Sequence, residues 1–352
     1  MLKMVFGSRA LGLGGSFVGV ADDVYYMDAN PGAGEANSIF KLSLLHQEWV
    51  YDANYEAVRI SRGIGRHFYV GGGFTFLYLP FEYFDSSGDQ VGARSLISQS
   101  LGMLNMGYTF RNGTMSIGVN LKYYISRIPD SLLQARYESD YESQSYSAYA
   151  ADVGYFARTN WFKSYIGPEP SFMFGLAVKN VGYSRTYEKL PTEIQAGLSY
   201  RVIWNLLITG QLNVPLYEPL YGALGAEFDI RKKIFLQAGA RISVNPMFSV
   251  GFGYKFRDME LNASYTPRLA FPNIFSVSVN FFFGETKKRR RDEKISSLLV
   301  EALEQFQNGH YEDAVVLVDA VLELDHRNSM ALSLKESIEK QMHVEKTNEK
   351  QY

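Results

Sequence analysis

The chain has 352 residues, 15% of them aromatic with 25 Tyr and 24 Phe against 3 Trp, and a formal net charge of -2. That balance argues against nucleic acid as the main partner, which would need a basic footprint, and the absence of Cys removes disulfide frameworks, thiolate metal sites and Cys nucleophiles together. No run approaches the roughly 18 apolar residues that a membrane-spanning helix needs, and the length suits one large element with an appendage.

The start, MLKMVFGSRALGLGG, lacks the apolar core of a secretory signal, so the reading frame is expected to extend upstream into one unless the chain is a mature form. Residues 1–38 are rich in Gly and small side chains and read as a compact plug. Glycines at 7, 12, 14, 15 and 19 let a backbone fold tightly where side chains would collide. The Asp22–Asp23 pair is expected to cap backbone N–H groups or to meet inward Lys and Arg. Gly12–Leu13–Gly14–Gly15 also invites comparison with a dinucleotide-binding loop, but the last glycine of that pattern is Phe17 here and no strand precedes it.

From about residue 39 to 284 the texture is period two. In the last segment Phe275, Val277, Val279, Phe281 and Phe283 share one parity and Ser276, Ser278 and Asn280 the other, with Phe282 breaking the alternation. Period two over about ten residues is the signature of a membrane-crossing strand. A water-soluble sandwich would also alternate, but it would turn its charged parity outward, whereas here the polar, Gly-rich parity must point inward. Fourteen such segments are predicted, at 39–50, 55–64, 67–80, 95–110, 115–128, 145–159, 172–184, 191–202, 204–217, 221–231, 234–244, 248–258, 259–268 and 273–284. The fold class is therefore an all-β transmembrane barrel of about 14 antiparallel strands (39–284) with an N-terminal plug (1–38). An even count puts both barrel ends on one side of the membrane.

The links alternate accordingly. They are tight at Gly65–Arg66, Arg111–Thr114, Arg231–Lys233 and Arg257–Asp258, and long at 81–94 and 129–144. Asn112–Gly113 is a hairpin signal. The 160–171 link is too long for its assigned side, which suggests a misplaced strand. The third strand carries Gly71, Gly72 and Gly73, and consecutive glycines either weaken a ladder into a bulge or permit close packing of the plug. The segments Pro80–Phe84 and Ile128–Leu133 present apolar residues suited to a ligand-capture rim or to plain loop packing.

After Phe283 the basic run Lys287–Arg291 marks a boundary, read as a linker over 285–294 that is either solvated or attracted to anionic lipid headgroups. Over 295–345 the apolar spacing turns helical. Leu298, Leu299, Ala302, Leu303 and Phe306 run up to the stop at Asn308–Gly309, a second helix carries Tyr311, Ala314, Val315, Val318, Ala320, Val321 and Leu322, and a third lies near 329–345. Phe306, Gly309, Tyr311, Ala314, Ala320 and Asp325 resemble one tetratricopeptide repeat, with His326 where that family commonly has Pro. Such repeats normally need at least three copies. The segment is thus a three-helix cap or a docking face for a periplasmic partner.

Gly7, Arg9, Ala10, Gly12, Gly14, Gly15, Phe17, Ala21, Asp22 and Asp23, followed by Asn30–Pro31–Gly32, resemble the amino-terminal hatch of FadL-type outer-membrane transporters, with their G-x-R-A-x-G-x-G-G-A-F-x-x-x-A-D-D pattern and N-P-A-G turn. Ser16 replaces the usual Ala, and Pro31–Gly32–Ala33 inverts Pro-Ala-Gly. Spirochaetal proteins of unassigned role are similar, and the PorV-like proteins of a secretion system share the fold. The resemblance implies passive uptake of long-chain fatty acids or other hydrophobic small molecules through a pocket above the hatch. It also implies sideways release beside a kinked third strand, which would make Gly71, Gly72 and Gly73 a lateral gate.

The expected partners are outer-membrane lipid, a hydrophobic small-molecule ligand and a periplasmic protein at the helices; the expected location is the outer membrane with the tail periplasmic. The alternative function is a non-transporting barrel that serves as a secretion shuttle or assembly platform through its tail. No cofactor and no catalytic or metal residues are assigned, because the five histidines show no ligand spacing and G-x-S-x-G is absent.

Overall fold

The computed structural model describes residues 1–37, 39–49, 53–81, 95–128, 144–165, 169–185, 189–268, 273–284, 287–326 and 328–349. Fourteen antiparallel strands form the wall: β1 (Phe40–Glu48), β2 (Asn54–Ile64), β3 (Phe68–Phe81), β4 (Ser95–Phe110), β5 (Met115–Ile128), β6 (Gln144–Thr159), β7 (Phe172–Ser184), β8 (Glu193–Ile203), β9 (Leu206–Pro215), β10 (Tyr221–Ile230), β11 (Ile234–Ile242), β12 (Met247–Phe256), β13 (Met259–Thr266) and β14 (Ile274–Phe283). Each pairs with its sequence neighbours, and β1 closes on β14 from Phe40↔Phe283 to Glu48↔Phe275. Closure leaves no unpaired edge, which is what lets strands stand in hydrocarbon.

The parity read from the sequence is the parity of the wall. Ser276, Ser278 and Asn280 of β14 are buried inside while Phe275 and Phe283 stand exposed outside. The same division runs around the barrel, with Phe74, Leu104, Leu121, Val153 and Leu224 facing out. A closed barrel turning this apolar face outward is a membrane-spanning architecture.

The rim at Phe40 and Phe283, called proximal here, carries the links 65–67, 111–114, 160–171, 204–205, 231–233 and 257–258, all tight but 160–171; the distal rim carries the rest, the longest being 82–94 and 129–143. No further strand lies among the described residues of 160–171, so the long link is real and β6 and β7 fall where predicted. Residues 82–84 and 129–133 of the expected capture rim lie outside the described residues.

Two short helices, α1 (Ser8–Gly12) and α2 (Tyr26–Ala29), and a 3-10 turn Pro31–Ala33 belong to the plug. Beyond the barrel come α3 (Lys287–Gln307), α4 (Tyr311–Leu324) and α5 (Ser329–Glu349). The run expected as a linker over 285–294 is thus helical from Lys287 onward. Gly309, at φ 81, ends α3 as the sequence indicates, with its N–H on the Phe306 carbonyl. The three helices have their own core of Leu299, Ala302, Ala314, Val318, Leu334 and Ile338.

Candidate functional site: the plugged lumen

The plug fills the barrel with an apolar side-chain core and, around it, with bare backbone laid against the wall. Leu13, Phe17, Val20, Val24 and Met27 form one buried cluster with the wall residues Tyr69, Met103, Phe156, Met173 and Leu207. Around this cluster the two backbones touch where neither carries a Cβ. A Cβ on Gly14 would lie 2.9 Å from the Gly239 carbonyl carbon, one on Gly19 2.6 Å from the Gly197 carbonyl carbon, and one on Gly32 2.5 Å from the Gly154 oxygen. The wall answers in kind, since a Cβ on Gly197 would lie 2.6 Å from the Gly19 nitrogen. These wall glycines fall into register, with Gly107 opposite Gly118, Gly118 opposite Gly154, Gly175 opposite Gly197 and Gly225 opposite Gly239. Real Cβ atoms do not reach such distances, so both surfaces must stay bare.

Two arginine clamps, one fully and one largely buried, fix the plug at separate strands. Arg59 of β2, 1% exposed, donates from Nε and Nη2 to the two oxygens of Asp28 at 2.8 Å each, and from Nη2 to Thr75 at 2.8 Å. Arg9 of α1 donates from Nε and Nη2 to Glu227 of β10 at 2.6 and 2.7 Å, and pairs with Asp22. Bidentate guanidinium–carboxylate pairs are directional as well as strong. Asp23 accepts from the Tyr25 N–H at 2.7 Å, while Asp22 meets a cation of the plug itself, Arg9, and not one on the wall. Burial, reinforced by Asp22 and Glu260 and opposed by Arg9, pushes the Asp23 carboxyl up to about 7.

The Asn30–Pro31 turn is seated by its polar atoms. Asn30 accepts from the Gly32 N–H at 3.0 Å and donates to the Tyr155 carbonyl at 2.9 Å, while the Tyr69 hydroxyl donates to the Pro31 carbonyl at 2.8 Å. Of the other motif residues, Ala10, Phe17 and Ala21 are buried in the plug core, and Gly7 and Gly15 take left-handed φ of 96 and 85. Gly12 lies against Gly251 of β12.

β3 pairs without a register break with β2 and β4 through Gly71–Gly73. A Cβ on Gly71 would lie 2.8 Å from Met27 Cε of the plug, and one on Gly73 would press into the Arg59 side chain. Gly72 faces outward and has room. The wall is irregular elsewhere: the β6–β7 register shifts between Ala151 and Val153, and Asn180 sits at φ 58. There Asp152 accepts from the Asn180 N–H at 2.8 Å and pairs with Lys122 at 2.6 Å.

Against the distal side of the plug lies a cavity of about 40 Å³, lined among others by Lys3, Lys179, Gln195, Asn213, Tyr221 and Arg241, and a wider cleft of about 270 Å³ at the rim shares Tyr221 and Arg241. Beside it the leading plug residues Met1, Met4 and Phe6 occupy an apolar niche with Leu45, Tyr55, Leu77 and Trp49. Among the described residues no group of three or more His, Asp or Glu could hold a metal. In the tail, Phe306, Tyr311 and Ala314 pack into the helices' own core, with the Phe306 and Tyr311 rings 5.7 Å apart, and Ala320 is half-buried. Arg59, Asp28, Glu227 and Tyr69 were not singled out by sequence. For Arg59, Tyr69 and Glu227 the one signal is a charged or phenolic residue at the inward parity of a strand; Asp28, in the plug helix, has no such mark.

A closed 14-stranded barrel with an apolar exterior and a plug clamped inside is an outer-membrane channel-type fold. The chain belongs to the uncharacterised protein family UPF0164, which it matches over residues 1–286. A UPF0164 protein of Treponema pallidum (strain Nichols) is 21% identical over 340 residues, covering 89% of this chain and 69% of that protein. A second from the same organism is 26% identical over 218 residues, covering 58% and 48%. Among solved structures, the Pseudomonas putida toluene transporter TodX superposes with a TM-score of 0.54 at 10% identity, covering 79% of this chain and 97% of that one. The CymD monoaromatic hydrocarbon channel gives 0.51 at 13% identity, covering 79% and 98%, and a Pseudomonas aeruginosa FadL homologue 0.51 at 10%, covering 79% and 99%. At these identities the likeness is one of fold.

Proposed function

We propose that this barrel passes a hydrophobic small molecule, a long-chain fatty acid or a comparable apolar compound, across the outer membrane down its concentration gradient, with the helical tail on the periplasmic side. The observation that carries this reading is the niche where Met1, Met4 and Phe6 rest against Leu45, Tyr55, Leu77 and Trp49 at the distal end of the plug. An apolar ligand can take the place of the methionines there, gaining about 25 cal/mol for each Å² withdrawn from water. The hydrocarbon transport named for TodX and CymD, which share the fold, is in keeping with it. A cavity of about 40 Å³ is well below the roughly 300 Å³ of a small-molecule pocket. Passage therefore requires the plug's leading segment to move, or the wall to part at Gly71–Gly73 as the family resemblance suggests. Catalysis forms no part of the reading.

Mass spectrometry of small molecules extracted from the purified protein, with uptake of labelled fatty acid into vesicles carrying it, tests the proposal. If no apolar compound is recovered and such vesicles fill no faster than empty ones, the barrel is not a transporter of this class.

The second reading, a non-transporting platform or secretion shuttle, is favoured by the bare-backbone seating of the plug and the small residual cavity. On that reading the tail is the handle, and Gly309 and Ala320 with the outward faces of α3–α5 are its contact region. Removing residues 295–352 would then release a stoichiometric partner while leaving the barrel assembled; an unchanged set of co-purified proteins counts against it.

A further inference from the structure

The described left-handed residues in the strand links, glycine apart, all lie on the proximal rim: Arg111 at φ 50, Phe162 at 55, Arg231 at 52, Lys232 at 54 and Arg257 at 51. Glycine or asparagine would take that conformation with less strain, as Gly65 and Gly113 do on the same rim. The positions are filled instead by four cations and one phenyl ring. The tight hairpins ask for that conformation; what needs a reason is the choice of Arg where Gly or Asn would be less strained.

The surroundings supply the reason. Arg62, Arg66, Arg111, Arg231, Lys233 and Arg257 are exposed with no ion-pair partner among the described residues, while Asp258 is the exposed acid in the described proximal links. Aromatic rings flank them at the same level, with Phe68 against Tyr108 at 5.1 Å, Trp161 against Phe172 at 5.8 Å and Phe40 against Phe283 at 6.0 Å. Phe162 itself is 82% exposed. Rings mark the boundary of the hydrocarbon, and cations just beyond it meet the headgroup layer. The chain then leaves β14 on this rim and enters α3 with Lys287–Lys288–Arg289–Arg290–Arg291. From α3, Glu301 and Glu304 face the Arg231–Lys233 turn only across a cavity of about 300 Å³.

We infer that the proximal rim is a binding surface for anionic phospholipid headgroups of the leaflet it faces, and that the left-handed Arg111, Arg231 and Arg257 are held there to present charge to that layer, whereas Lys232 is taken up by Glu169. The inference needs only that the barrel spans a membrane and is independent of what passes through it.

The test uses the full chain in detergent, titrated with phosphatidylglycerol or with phosphatidylcholine of the same acyl chains, with retained lipids counted by native mass spectrometry. The triple variant Arg111→Asn, Arg231→Asn, Arg257→Asn removes three unpaired cations and places a residue that tolerates left-handed φ at each site. Wild type should retain phosphatidylglycerol in preference, the variant should lose roughly tenfold or more of that preference, and in lipid-free detergent the variant should melt no lower than wild type. The charge-conserving Arg111→Lys, Arg231→Lys, Arg257→Lys variant should keep the preference. An undiminished preference in the Asn variant overturns the proposal and leaves an acidic protein surface as the partner of these cations. Equal loss in the Lys variant overturns it as well.

Discussion

Arg59 and Asp28 join the barrel wall to its plug by two parallel hydrogen bonds of 2.8 Å, with both side chains almost entirely buried. The pair is the tightest tether between β2 and α2, and Gly73 is bare so that the guanidinium can lie flat. Breaking one partner of a buried pair leaves the other charged and unmatched.

Asp28→Asn is therefore expected to destabilise the plug by about 3–5 kcal/mol. The double variant Arg59→Met, Asp28→Leu should recover most of that loss. Thermal melts in detergent, with protease sensitivity of residues 1–37 as a second readout, check both. A single variant as stable as wild type would show that the clamp does not hold the plug.

Where backbone meets backbone, added bulk has nowhere to go. Gly197→Val should drive the plug away from β8 at Gly19, at a cost of about 1–3 kcal/mol or more. Gly72→Val, on the lipid-facing side, should be tolerated. Heat-modifiable gel mobility reports barrel closure and limited proteolysis reports the plug; equal behaviour of the two variants would contradict the packing described.

Asp23, in the plug and outside the membrane-spanning strands, has its carboxyl raised by burial from the ordinary 3.8 to about 7. The folded protein then binds a proton that the unfolded chain has released, so stability falls as pH rises through that window and levels off above it. Asp23→Asn keeps the acceptor for the Tyr25 N–H and removes the titration. It should match wild type near pH 4 and melt progressively higher as pH approaches 7, with the gain constant beyond. A difference independent of pH would mean that Asp23 stays ionised throughout.

The tail core contains no barrel residue. Leu334→Ala, at a fully buried site, should cost the helices about 2–5 kcal/mol and leave the barrel's own transition unmoved. Two separate transitions by calorimetry, only one of them shifted, are the expected result.

The strands were legible because lipid and lumen impose opposite demands on successive residues. Ser276 and Phe275 announce their sides without any neighbour, and the predicted boundaries fall within about three residues of the observed ones, as at 204–217 against Leu206–Pro215. The plug was legible as a plug from Gly7 to Asp23, but its contacts were not. Which wall residue meets Gly14 or Asp28 depends on how the sheet closes, and closure register leaves no local mark. Arg59 reads as one more inward polar residue until Asp28 is brought to it. The Lys287–Arg291 run looked like a solvated linker because charge suggested solvent; Lys and Arg are good helix formers, and α3 begins there. At Gly71 and Gly73 the sequence left a bulge and close packing of the plug both open; the ladder through them is continuous, and Met27 and Arg59 occupy the space side chains would need.

The seam between β1 and β14 joins the two ends of the wall in sequence, Phe40 to Phe283. The cylinder therefore cannot zip shut until its final strand has been delivered, although the segment it must enclose is made first. Folding has to gather the first 37 residues against a still-open sheet and hold them while the far edge arrives.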